Sequence, residues 1–141
     1  MATFTSVITE TLILNGDDVG SKTTNTITGI NYVDNRILSV PSGSVTTIFS
    51  MDSVPGAGTF VTSSVRYIRV TNLPSSVVPI KLIVSSSTDA MSFLISTGSS
   101  YMLSTSKITG SESGLIFDNI KSVKVEPSGS AASLEYYIVT T

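Results

Sequence analysis

The chain has 141 residues, a net charge of −2, a charged fraction of 13%, and neither cysteine nor histidine. That composition excludes a disulfide framework and removes the usual side chains for nucleophile–histidine catalysis and for zinc or copper. With 26 Ser and 19 Thr, the surface stays soluble through hydroxyls instead of ions, which leaves fewer charges to strip of water when another protein docks.

The length suits one domain, 1–141, able to bury roughly two-thirds of the surface its unfolded form exposes. MATFTSVITE lacks a basic segment and a long apolar core, so no secretory signal is expected. No apolar run approaches the ~20 residues of a membrane span, and the nearest, Val77–Val84, is broken by Pro79 and Lys81.

In chain order, Phe4–Leu14 alternates as a long first strand, with Phe4, Ile8, Leu12 and Leu14 on one parity and a bend at Glu10. NGDDVGS at Asn15–Ser21 is a turn cluster. Thr23–Val33 is the next strand, with Gly29 as a bulge. Asp34-Asn35 reads as a tight turn before Arg36–Val40, and Pro41-Ser42-Gly43 as another. Ser44–Met51 alternates again, and DSVPGAG at Asp52–Gly58 is a loop. Phe60–Val61 leads into VRYIRVTNLPSSVVPIKLIVSS at Val65–Ser86, the organising stretch. Ile68 and Val70 share one face there, Ile80, Leu82 and Val84 another, and the Pro-bearing break Asn72–Ser76 suggests an antiparallel pair. Met91, Phe93 and Ile95 face inward on a further strand, Tyr101–Leu103 is short, and Ser104–Gly114 is a long polar loop. Leu115–Phe117, Ile120–Val125 and Leu134–Thr140 are the closing strands, with corners at Asp118-Asn119 and Pro127–Ser130. Nine or ten short strands, with turn signals every 8–12 residues and no helical period, predict an all-β fold: an antiparallel β-sandwich or jelly roll, with a closed barrel less favoured.

The motifs of most chemistries are absent. Asp17, Asp18, Asp34, Asp52 and Asp118 sit in turn contexts, where their side chains bond nearby backbone. The Asp17-Asp18 pair lacks the alternating oxygens of a calcium loop, so no metal and no cofactor is expected. The glycines of PGAG and SGS precede no helix and no GKS or GKT ending. Eight dispersed basic residues and a pI near 4.9 do not suit nucleic acid. Glycan binding stays open through Tyr32, Tyr67, Tyr101, Tyr136 and Tyr137, although no Trp is present.

Two segments, VRYIRVTNL at Val65–Leu73 and DNIKSVKVEPSGSAASLEYYIVTT at Asp118–Thr141, together resemble small β-sandwich structural proteins of tailed bacteriophages, the cyanophage type especially. The resemblance covers the last 75 residues or so and hardly touches the first 60. It implies a non-enzymatic virion protein at the capsid surface, made in the host cytoplasm. The implied role is a capsid decoration (cement) protein that binds the major capsid protein and is homo-oligomeric. The alternative it leaves is a tail- or fibre-associated module, or a glycan receptor-binding one. Candidate partner contacts are Phe4, Val7, Ile8, Leu12 and Ile13 on the first strand, which is apolar on both parities, and Val54 and Pro55 in the loop Asp52–Gly58. The competing expectation is that this strand completes the protein's own core.

Overall fold

The computed structural model describes residues 1–54, 56–61, 65–104, 110–112, 115–117 and 120–141. The chain begins with a two-stranded ribbon: β1 (Ala2–Glu10) returns as β4 (Ser21–Ile30), and the short β2 (Ile13–Leu14) and β3 (Asp17–Asp18) pair at its tip. Beyond it come β5 (Tyr32–Val40), β6 (Thr46–Asp52), β7 (Thr59–Val61), β8 (Val65–Asn72), β9 (Ile80–Ser85), β10 (Ala90–Ile95) and β11 (Ser100–Leu103). A small pair, β12 (Gly110–Glu112) with β13 (Leu115–Phe117), precedes β14 (Ser122–Pro127) and β15 (Ala132–Thr140).

Two sheets carry the body, in the orders β11-β8-β15-β5 and β10-β9-β14-β6-β7. All pairings are antiparallel except β6 with β7. Consecutive strands change sheet at β5–β6, β7–β8, β8–β9, β10–β11 and β14–β15, the interleaving of a jelly-roll sandwich. Each strand therefore turns one face to the opposite sheet. Phe49, Ile80, Leu82, Val125, Leu134 and Ile138 meet there with essentially no solvent exposure. At about 25 cal/mol per Å² of apolar area, these contacts dominate the favourable side of folding.

That topology corrects the expected pairing of the organising stretch. Its two halves, β8 and β9, are strands of opposite sheets, and they face each other across the core instead of bonding side by side. The reason lies in the connection 73–79. Asn72, fully buried at the end of β8, donates its side-chain amide to the carbonyls of Val78 (3.0 Å) and Ile95 (3.2 Å), tying the crossover to the other sheet. The Ser76 hydroxyl then donates to Ser133 O and accepts from Ser133 N, both at 2.8 Å. A tight hairpin would need none of these.

A second correction concerns Asp34-Asn35. No turn exists there: both lie inside the nine-residue β5, paired with Ile138 and Tyr137. Asn31–Val40 contains no Gly or Pro to favour a reversal, and Asp34 is held in an extended strand by side-chain partners described below. Gly29 is a bulge, skipped between the pairs Ala2↔Ile30 and Thr3↔Thr28, with φ of +74°. The readings at Pro55, at Asp118-Asn119 and over most of the 104–114 loop fall outside the described residues.

Candidate interaction surface and polar cleft

The ribbon's root lies on the outer face of the four-stranded sheet. Phe4 packs on Tyr67 of β8 (centroids 4.8 Å) and Tyr137 of β15 (5.6 Å). Opposite Phe4 in the ribbon is Ile27, and two residues on, Ser6 faces Asn25, whose amide donates to Ser104 just after β11. The ribbon thus crosses the sheet from β15 toward its β11 margin, and it covers Tyr67, which is otherwise an outward residue and is only 5% exposed.

Past that margin the ribbon leaves the body. Every residue from 7 to 24 is exposed. At about 3.3 Å per residue, the tip stands roughly 25 Å beyond Ser6. Ile8 shares the parity of Phe4 but is 41% exposed, without the aromatic partners that Phe4 has. Leu12 (57%), Ile13, Leu14 and Val19 extend this exposed apolar stretch. The ribbon is locally well specified. Asn15 and Gly16, both with positive φ, form the two-residue turn between β2 and β3. Val19 N donates to Leu12 O at 2.8 Å, and Gly20 N to the Asp18 carboxylate at 2.9 Å. A Cβ at Gly20 would fall 1.9 Å from Glu10 O, so only glycine fits.

At the opposite lateral margin, β5 is an edge strand of nine residues. Ile37 (68% exposed) and Val33 stand on its outer face. Such an edge, long and apolar, is where another strand adds most readily.

The expected contact residues therefore divide. Val7, Ile8, Leu12 and Ile13 share the projecting ribbon, whereas Phe4 is spent on the protein's own sheet. Val54 is exposed on a separate element, the loop between β6 and β7, and Pro55 lies outside the described residues. The first strand does not complete the core. Its outward apolar residues were visible as alternation, but alternation cannot say which face is covered.

A cleft of about 560 Å³, with Asp34 and Arg36 beside Tyr32 and Phe60 in its lining, opens between the edge strands β5 and β7, on the same side of the sandwich. Asp34 is buried at its base. Its two carboxylate oxygens accept from Tyr136 Oη (2.8 Å) and Arg36 Nε (2.9 Å). Burial, reinforced by the hydrogen bond to Asp34, pushes the Tyr136 phenol up to about 12. The same carboxylate raises Arg36 further above its ordinary range. Tyr32, half exposed, is braced against Phe60 with centroids 5.6 Å apart. Reading Asp34-Asn35 as a turn concealed this group. The missing Gly and Pro were the signal that could have found it.

No family model matches this chain, and no curated protein matches it. A solved structure does: a chain from work describing Bacillus endospore appendages as a novel family of disulfide-linked pili, 10% identical, with 77% of this chain and 84% of that one covered and a TM-score of 0.48. That finding overturns the phage resemblance, since the matched chain is a pilus component and not a virion protein. The capsid decoration role, the major capsid protein as partner and the capsid-surface location are withdrawn with it. The physical reason for the misreading is plain. VRYIRVTNL is β8 and LEYYIVT is β15, neighbouring strands in the middle of one sheet, and their alternation is what burial of one face against a second sheet demands of any such strand.

Proposed function

We propose that this chain is a non-enzymatic structural subunit that assembles head to tail with copies of itself into a fibre. The projecting ribbon of one copy seats on the outer face and free edge of β5 in the next. The observation that carries this reading is the unbroken exposure of residues 7–24, with Ile8, Leu12, Ile13, Leu14 and Val19 on the part of the ribbon that stands beyond its packed root. The giving and receiving surfaces lie at opposite lateral margins of one sheet, β11 and β5, so the contact is between unlike surfaces and propagates instead of closing as a two-fold pair. Added strand pairing would supply backbone hydrogen bonds, and Val33 and Ile37 an apolar seat. With no cysteine in the sequence, copies are held without disulfides.

The test uses two variants of the full chain, Leu12→Asp on the ribbon and Ile37→Lys on the receiving edge. Each alone is expected to remain monomeric in sedimentation and to form no filaments by electron microscopy, while the unmodified chain does. Mixed together they are expected to form a dimer and stop, because the intact ribbon of one meets the intact edge of the other. Filaments from either variant alone, or no dimer in the mixture, would refute this arrangement.

A further inference from the structure

We infer that the cleft between β5 and β7 is a binding site for a sugar that carries a carboxylate, with Arg36 taking the carboxylate and Tyr32 taking the ring. Three observations converge on that chemistry. The first is the state of Arg36. Its Nε is fixed on Asp34 at 2.9 Å, and Asp34 is in turn fixed by Tyr136, so the guanidinium plane is held from behind. Among the described residues no other hydrogen bond or ion pair engages Arg36, whose side chain is 60% exposed. Its two terminal nitrogens are left to face solvent, a planar fork that matches a carboxylate bidentately. Asp34 itself is buried, and each of its oxygens already accepts one hydrogen bond, from Arg36 and from Tyr136.

The second observation is the aromatic face. Tyr32 lines the cleft and is held by Phe60 without being covered by it. A ring presented in this way suits the apolar face of a pyranose, which flat hydrogen-bonding ligands lack. The third is the remaining lining: Asn31, Thr59 and Thr140 border the same space, the Thr59 hydroxyl shared with Ser50 (2.9 Å) and that of Thr140 directed to Tyr32 O (3.5 Å), so that Asn31 and the second hydrogen-bonding capacity of Thr59 are the neutral groups left for sugar hydroxyls. The volume, about 560 Å³, falls in the range of small-ligand sites. A simple anion would use Arg36 alone. A neutral sugar would leave the guanidinium unpaired. Only a ring that bears a carboxylate uses every part of the lining.

The experiment is an amide-resolved NMR titration of the full chain, held monomeric by Leu12→Asp, with glucuronic acid and N-acetylneuraminic acid as probes, and glucose and acetate as controls. Saturable shifts at Tyr32, Arg36 and Thr59 with an acidic sugar, at concentrations where glucose and acetate produce none, are expected. Arg36→Lys, which keeps the charge and loses the fork, should weaken binding at least about tenfold. Tyr32→Ala should do the same without touching the Asp34 group. A glycan ending in the preferred sugar, titrated next, separates a free monosaccharide from a chain terminus by its tighter or equal affinity. Equal response to acetate would mean an adventitious ion only and would overturn the assignment, as would shifts mapping elsewhere or binding indifferent to both variants. Concentration-dependent broadening at these amides without sugar would mean that a second copy fills the cleft, which also overturns it.

Discussion

Asp34 holds a phenol and a guanidinium from positions about a hundred residues apart in the chain, on the neighbouring strands β15 and β5, and Tyr136 contributes the more diagnostic half of that contact. Because its folded pKa is raised from 10 to about 12, the neutral phenol is the form the fold prefers. The stability it contributes is fully present below pH 10 and is lost as the pH rises through 12. An alkaline absorbance titration should show a phenol ionising near pH 12 that disappears in Tyr136→Phe; an unchanged titration would show the assignment to be wrong. Asn72 gives a second prediction. Asn72→Ala strands the carbonyls of Val78 and Ile95 in the core, and should cost about 1–3 kcal/mol in denaturant unfolding. Tyr136 was visible in the sequence as a strand residue and Asn72 as the start of a break, and neither role was. An Asn next to Leu-Pro-Ser-Ser looks like turn chemistry, and only the position of the opposite sheet makes it a buried tie.

The ribbon's strength as an element comes from its turn and from one glycine, since it has no core of its own. Gly20 sits where β3 passes into β4 against the carbonyl of Glu10. Gly20→Ala should therefore deform the ribbon and weaken assembly, while the body, which the ribbon touches only near its root, keeps its thermal midpoint within a few degrees. A loss of assembly together with a large drop in that midpoint would instead make the ribbon part of the body's stability. Most strand positions were legible from a period of two, and the bulge at Gly29 from a lone glycine in a β-rich run. Pairing was not. Side chains of β8 and β9 alternate in the same way whether the strands bond side by side or face each other, because in both arrangements one face of each is buried.

For the molecule as a whole, low charge sets the character of the contact proposed between copies. The ribbon carries Glu10, Asp17 and Asp18 against Lys22, and β5 carries Asp34 already paired with Arg36. Few ions are there to be screened. Raising sodium chloride from about 50 mM to about 500 mM should change the association constant less than about threefold in sedimentation, whereas a charge-driven contact would weaken far more. The interleaved topology also orders events in time. β5, the first strand of the body, bonds to β15, the last, across nearly a hundred residues of chain. The ribbon, by contrast, closes through a two-residue turn between near neighbours. During synthesis the ribbon is therefore ready long before β5 has its inner partner, and a nascent chain can be added to a finished neighbour but cannot receive one until its final strand is in place. In the assembly proposed above, growth would be limited by completion of the acceptor, and the order in which the protein is made would guard against premature polymerisation.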